Sequence, residues 1–311
     1  MVSLDKASRR YGHFEAVRDI TFTAQAGEVV GLLGQNGAGK STIMNMLAGC
    51  LAPSGGRVTI NGFDMQRQPM QARRSVGYLP EVPPLYPEMT VREYLVFCCQ
   101  IKQLQKKDIK RHTDELMELS GLTEVRDQLI GQLSKGYRQR AGLAQALCGD
   151  PEVLLLDEPA AGFDPMQAVA FRKLIRKLAP GRTIIFSSHL LSEVQEVCDR
   201  VLILHRGELK LDHHLDAERQ ADHYRLLVRG APEKLLPPIR QLASVRRVRS
   251  LDSRQQGLTS LLVETLAGGQ FPEQLFTLLS GLGAPILELS PVGDSLEALF
   301  LRVTSQEEQS A

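Results

Sequence analysis

Long apolar runs are missing from this sequence. No stretch approaches the roughly 20 apolar residues that a membrane-spanning helix needs. The longest runs, VVGLLG and VLLLD, have the length of buried strands. The opening segment, MVSLDKASRRYG, lacks the apolar core of a secretion signal. The expectation is a soluble chain that serves any membrane process by docking onto a partner. Excess charge of either sign is also missing: 37 Lys and Arg balance 36 Asp and Glu, a formal net charge of +1. No global field therefore draws the chain to nucleic acid or to an anionic membrane. Cysteine is sparse, and none of Cys50, Cys98, Cys99, Cys148 and Cys198 is paired at metal-ligand spacing near histidines. That pattern implies free thiols in a reducing cytosol, with adjacent Cys98 and Cys99 packing inside an apolar helix. Internal repeats, low-complexity tracts and sustained heptads are absent too. The 311 residues exceed one ordinary domain and suit a large domain followed by a small one.

Short apolar runs alternate with helical patterns over the first two thirds. Strands are expected at Asp19–Ala24, Glu28–Leu33, Arg57–Asn61, Val76–Leu79, Val153–Leu156, Thr183–Phe186 and Arg200–Leu204. Helices are expected at Lys40–Gly49, Val91–Leu104, Ile109–Leu119, Lys135–Cys148, Met166–Leu178 and Leu190–Cys198. VVGLLG, VLLLD and TIIFSS are apolar without alternation, the mark of parallel strands covered on both faces. The turn at Ser54–Gly56 suggests an antiparallel β part near the front. Helices cluster at about 88–148 as an insert, after LPEVPPLYPEMT, whose four prolines exclude regular structure. Beyond Leu211 the polar HHLDAERQADH looks like a linker. It leads to a small α+β domain at 222–311: strands at Tyr224–Val228, Val245–Arg249, Leu258–Glu264 and Pro285–Leu289, and helices at Glu233–Leu242, Pro272–Leu279 and Ser295–Val303. Asp294 and Glu297 are placed to cap that last helix.

Three segments carry chemistry. GQNGAGKST (Gly34, Gln35, Asn36, Gly37, Ala38, Gly39, Lys40, Ser41, Thr42) fits G-x-x-x-x-G-K-S/T between a strand and a helix, the setting that motif requires. Its glycines let successive N–H groups curl round a β-phosphate, and the helix N-terminus adds its positive end. Lys40 then bridges β- and γ-phosphates, and the Ser41 hydroxyl holds Mg²⁺. VLLLDEP ends a buried strand in two acids. Asp157 is placed to hold Mg²⁺ through water, and Glu158 to accept a proton from an attacking water. LSKGYRQR (Leu133 to Arg140) opens a helix just before that strand.

With this third segment the sequence resembles the ABC ATPase family, whose signature motif is usually written LSGGQ. The order of an upstream aromatic, P-loop, signature, Asp–Glu strand and histidine is the family's order. The resemblance implies an α/β P-loop ATPase of ABC type at 1–215: a mixed sheet with an antiparallel β subdomain and the helical insert. It further implies that Tyr11 stacks on adenine and that Ser134, Lys135 and Gly136 meet the ATP held by a second subunit. Asp164 then crosses the dimer interface, and His189 is the switch histidine that orders the attacking water. ATP and Mg²⁺ are the implied cofactors. The implied partners are a second copy or a paired cassette and a polytopic membrane permease, with no nucleic acid. The implied location is the inner face of the cell membrane. VGYLPEVPPLYPEMTVREYLVF and the ending GDSLEALFLRVTSQ resemble exporters of the ABC-2 type.

The sequence departs from the family pattern at several positions. Glu81 stands where the Q-loop usually has Gln, adding a negative charge near the metal. Lys135 and Tyr137 replace a Gly and a Gln of the signature; Lys135 either supplies extra positive charge there or faces solvent. Ala160 replaces a common Thr, and Phe163 the usual D-loop Leu. A soluble ABC ATPase acting on ribosomes or nucleic acid is the rival reading. Such proteins carry two cassettes or a long coiled coil, and this chain has neither. VRRVRS (Val245–Ser250) fits an edge strand guarded by charge better than a nucleic-acid contact. A non-enzymatic clamp on ATP would not need both Glu158 and His189.

Overall fold

The computed structural model describes residues 1–215, 223–251, 257–266, 270–291, 296 and 300. The chain divides into two compact units, Met1–His213 and His214–Ala311. The first unit opens with two long antiparallel strands, β1 (Val2–Tyr11) and β2 (Phe14–Ala24). The sequence pattern places a strand only at Asp19–Ala24, because bulges disguise the rest. Lys6 and Asp19 have φ of 47° and 46°, and the pairing register shifts around them. Each irregularity resets the in–out alternation, so Val2, Leu4 and Ala7 all face inward without an even spacing. β4 (Gly55–Ile60) and β5 (Phe63–Asp64) complete this sheet in the order β2-β1-β4-β5.

A second sheet contains β3 (Val29–Leu33), β6 (Val76–Leu79), β7 (Val153–Asp157), β8 (Thr183–Ser188), β9 (Arg200–His205) and β10 (Glu208–His214). Its order is β10-β9-β3-β8-β7-β6, and the pairs from β9 to β6 are parallel. β3, β7 and β8 are buried at every position, which is why their sequences show no alternation. β10 escapes the sequence pattern because ELKLDHH is polar and largely half-exposed; it takes up the start of the expected linker. Helices α1 (Lys40–Leu47), α2 (Pro69–Arg74), α6 (Pro165–Leu178) and α7 (Leu191–Val197) follow strands of this unit. The six-residue α2 is too short to leave a periodic trace.

Residues 80–89 have no regular structure, as their prolines require. α3 (Val91–Ile101), α4 (Lys106–Leu119) and α5 (Lys135–Ala146) come next. α3 starts on a reciprocal cap: Thr90 Oγ1 accepts from Glu93 N at 3.2 Å, and Glu93 Oε2 accepts from Thr90 N at 2.9 Å. The Thr90 N–H, and with it the Thr90 hydroxyl, donates to the Glu93 carboxyl and holds it below its usual range. Thr90→Ala should cost about 1 kcal/mol locally, read as faster amide hydrogen exchange in the first turn of α3. The end of α5 presses on β6: a Cβ at Gly77 would lie 2.0 Å from the Ala146 carbonyl oxygen, so this position accepts only glycine.

The second unit runs β11 (His223–Arg229), α8 (Pro232–Arg240), β12 (Val245–Leu251), β13 (Leu258–Thr265), α9 (Phe271–Gly281) and β14 (Ile286–Pro291). Its antiparallel sheet has the order β12-β13-β11-β14. Leu235 and Ile239 of α8 and Phe271, Leu275 and Leu279 of α9 pack with Leu226, Val228, Val248, Leu261 and Val263 of the sheet. That burial keeps α8 helical through Pro237 and Pro238, against a local propensity cost of about 3 kcal/mol. β12 is an edge strand, and its exposed Arg246 pairs with Glu264 at 3.3 Å. The expected helix Ser295–Val303, with its Asp294–Glu297 cap, lies outside the described residues except for Leu296 and Phe300, both helical.

Candidate functional site

Gly34 to Gly39 form the turn between β3 and α1. The turn needs its glycines for space and for conformation. A Cβ on Gly34 would lie 2.6 Å from the Leu204 carbonyl oxygen, and Gly37 and Gly39 have φ of 83° and 104°. Gly39 is the N-cap of α1 and supplies no side-chain cap, and the first turn holds no acidic residue. The leading N–H groups of α1 are thus free to meet an anion. Gln35, Asn36, Gly37 and Ser41 are exposed, Thr42 is half-buried, and Gly34, Ala38 and Lys40 are buried.

Lys40 connects this turn to the acidic strand end. Its Nζ donates to the carbonyl oxygens of Gly34 at 2.7 Å and Gln35 at 3.3 Å, and lies 3.4 Å from Glu158 Oε1. The other oxygen of Glu158 is 2.8 Å from His189 Nδ1. Lys40, Glu158 and His189 therefore form one line of contacts, with Lys40 5% exposed at its inner end and His189 49% exposed at its mouth. Ser187 fixes the geometry beside it. Its Oγ donates to Asp157 Oδ1 at 2.6 Å and accepts from the Glu158 backbone N–H at 2.9 Å. That bond holds Glu158 at φ 45°, a left-handed conformation that costs a non-glycine residue about 1 kcal/mol or more. Ser188 repeats the device, donating to Glu193 Oε2 at 2.6 Å and accepting from Leu190 N at 3.0 Å to shape the turn after His189. Burial, then the charge of Asp157, pushes the nearby Tyr78 phenol well above its ordinary range, so it stays neutral.

These groups share one edge because their strands are neighbours. Leu33 is level with Ser188, and Ser187 with Asp157, across the order β3-β8-β7. The roles of Ser187 and Ser188 were not anticipated from sequence; the only trace is a polar pair closing the apolar run TIIF.

A second group of expected site residues lies elsewhere. Ser134 caps α5, its Oγ accepting from Tyr137 N at 3.3 Å, and Asp164 caps α6, its Oδ1 accepting from Gln167 N at 2.8 Å. The two caps adjoin: Gly136 abuts Gln167 and Phe163, and the exposed Lys135 side chain lies along Gly162. Phe163 packs edge-on against Phe171, ring centroids 5.2 Å apart. Among the described residues, no hydrogen bond or ion pair joins Ser134, Lys135 or Gly136 to the Lys40–Glu158–His189 line. Tyr11 sits at the tip of the β1–β2 hairpin, opposite Phe14, with the Arg9 guanidinium 4.9 Å above its ring. Ala16 and Val17 of that hairpin crowd Gly39, which brings the ribbon to the P-loop. Glu81 is exposed and makes no hydrogen bond or ion pair among the described residues.

This chain is similar to known proteins. A family model described as ABC transporter matches residues 17–161. The ABC transporter ATP-binding protein NatA of Bacillus subtilis (strain 168) is 38% identical over 232 residues, covering 71% of this chain and 94% of that protein. Nod factor export ATP-binding protein I of Rhizobium sp. (strain N33) is 33% identical over 319 residues, covering 98% of this chain and 97% of that protein. A solved ATP-binding subunit of an ABC transporter matches with a TM-score of 0.65 and 31% identity, over 70% of this chain and 92% of its own. Relatives this similar, spanning this much of the sequence, show that the chain belongs to the ABC transporter family as an ATP-binding ATPase subunit.

Proposed function

We propose that this chain works as a pair, with itself or with a related cassette. Each ATP is held by the P-loop of one subunit and the Ser134 helix end of the other, and hydrolysis drives export through a separate polytopic membrane subunit. The observation that carries the composite site is that two anion-recognising groups of one chain share no hydrogen bond or ion pair among the described residues. The P-loop offers free N–H groups and Lys40, whereas the α5 terminus offers an exposed serine, an exposed lysine and its own helix dipole. Gathering both on one nucleotide takes a second subunit, and Asp164, beside Ser134, lies at that junction.

Within the site, the P-loop N–H groups and Lys40 bind the β- and γ-phosphates, and Tyr11 stacks on adenine. The γ-phosphate draws Lys40 from Glu158, leaving the carboxylate to accept a proton from the attacking water. His189 orders that water from the outer side. The chemistry of the oxygen donors fits Mg²⁺: Ser41 is exposed, and Asp157 keeps one oxygen free of Ser187. Ser41, Asp157 and Glu81 would hold the ion, which supplies charge neutralisation for the phosphates. The Nod factor export relative, similar along nearly the whole chain, supports export as the direction. Among the described residues no helix is long and apolar enough to cross a membrane, so the reading places the chain on the inner face of the cell membrane through its permease.

His189→Ala should lower ATP turnover about 10²-fold or more while ATP binding changes little, measured by phosphate release and nucleotide titration. Tagged chain recovered from solubilised membranes should bring a polytopic protein with it. Recovery of ribosomes or nucleic acid instead would reject the transport reading.

A further inference from the structure

The basic strand VRRVRS belongs to a wider pattern in the second unit than an edge guarded by charge. α8 and α9 pack on one face of the sheet, against Leu226, Val228, Val248, Leu261 and Val263. Residues that alternate with these point to the other face. The pairing registers set arginines there. Arg249 of β12 lies opposite Leu262 of β13, and Leu262 lies opposite Arg225 of β11. Arg247 and Arg229 share that face, being an even number of residues along the same strands. All four arginines are exposed. Neighbouring strands lie about 4.8 Å apart, so the β11 and β12 arginines stand in two rows about 10 Å apart.

Their charges are not neutralised. Among the described residues no hydrogen bond or ion pair engages the side chains of Arg225, Arg229, Arg247 or Arg249. The acids on this face are already engaged: Glu264 with Arg246 at 3.3 Å, and Glu288 with the Ser290 hydroxyl, which donates to it at 2.9 Å. Edge protection accounts for arginines on β12, whose open side would otherwise template another strand. It does not account for Arg225 and Arg229. β11 is paired to β13 on one side and to β14 on the other, so it has no open edge to guard. Four like charges left unpaired on one face repel one another, and an anionic surface laid across both rows relieves that repulsion.

We propose that this sheet face docks onto the anionic lipid headgroups of the inner leaflet of the cell membrane, making the second unit an electrostatic tether beside the permease. The choice of a lipid surface rests on the membrane location proposed above. Guanidinium groups pair with the phosphates of such headgroups through two parallel hydrogen bonds. Nucleic acid is the poorer fit: Tyr224 is the only Tyr or Phe in the four strands, and it packs in the core beside Phe271, ring centroids 5.0 Å apart, leaving no such ring to stack on a base. The permease is poorer too, because short cytoplasmic loops of membrane proteins carry an excess of Lys and Arg, which this face repels. Half-buried Leu227 and Leu262 lie among the arginines, which gives the face the mixed character of a membrane-surface contact. The whole chain has a formal net charge of only +1, so the attraction belongs to this face and reaches about 8 Å at physiological salt.

The test is co-sedimentation of the full-length protein with vesicles of phosphatidylcholine alone and of phosphatidylcholine with about 30% phosphatidylglycerol, with ATP turnover measured on the same preparations. Binding is expected to the anionic vesicles alone, and should be lost in about 0.5 M salt. Each arginine at such a surface strengthens binding about fivefold, so Arg225→Gln with Arg229→Gln should weaken it about 25-fold, and loss of all four arginines at least 10²-fold. Replacing all four by Lys should keep binding within a few fold. Turnover in solution and the thermal midpoint should match the unaltered chain, because these side chains are exposed and unpaired. Should the β12 variants aggregate for want of edge protection, the β11 pair alone decides. Equal binding to both kinds of vesicle, anionic binding that survives loss of the β11 pair, or tighter binding to a single-stranded RNA of about 20 nucleotides would overturn the proposal. Protein that hydrolyses ATP but ignores the anionic vesicles overturns the tether and leaves the functional reading standing. Protein held on them by these arginines that hydrolyses no ATP supports the tether and tells against that reading.

Discussion

Glu158→Gln should bind ATP about as tightly as the unaltered chain and turn it over about 10²- to 10⁴-fold more slowly. The substitution keeps the shape of the side chain and the backbone N–H that Ser187 accepts at 2.9 Å. It removes the carboxylate that faces Lys40 at 3.4 Å and His189 at 2.8 Å. On the proposed reading, binding rests on the P-loop N–H groups and Lys40, none of which depends on a charge at position 158. The amide cannot accept a proton from water, so only the chemical step suffers. Nucleotide titration together with single-turnover phosphate release separates the two. Turnover within a few fold of the unaltered chain would remove Glu158 from the role of base.

Ser134→Arg should abolish hydrolysis almost as fully, for a different reason. Ser134 is exposed, and among the described residues the one hydrogen bond of its side chain is the local cap to Tyr137 N at 3.3 Å, so the folding cost is about that of losing a helix cap, on the order of 1 kcal/mol. The guanidinium would fill the space that a partner's γ-phosphate must enter. Nucleotide affinity of the isolated subunit should stay within a few fold, because among the described residues Ser134 forms no hydrogen bond with residues of the P-loop in its own chain. The outcome to measure is loss of both turnover and ATP-dependent pairing, by size-exclusion chromatography with light scattering. A variant that still hydrolyses ATP would show that one chain suffices.

How much of this was legible in advance depends on how each feature is written in the chain. The P-loop and the Asp157–Glu158 strand end are contiguous, and their chemistry is confined to a few adjacent residues. Buried strands such as β3, β7 and β8 reveal themselves by unbroken apolar runs. β1 hides its alternation behind the bulges at Lys6 and Asp19, and β10 hides in its polarity. Ser187 looks like any strand-end serine until the sheet order sets it beside Asp157. The contact between Cys99 and Cys148, whose sulfurs lie 3.7 Å apart, was equally invisible: Cys98 and Cys99 read as helix packing, and nothing in the sequence ties Cys99 to a residue some fifty positions later.

The sheet order has a consequence for how the protein is made. β8 is translated after β3 and β7 yet lies between them, paired to both. Until it emerges from the ribosome, the two strands carrying Lys40's turn and the Asp157–Glu158 pair have no rung joining them. A chain stopped short of Thr183 would leave two apolar strands with unpaired edges, ready templates for aggregation or for a holding chaperone. On the proposed reading, Lys40 and Glu158 can be set on either side of a terminal phosphate only after synthesis has passed β8 and its pairing to both strands is made.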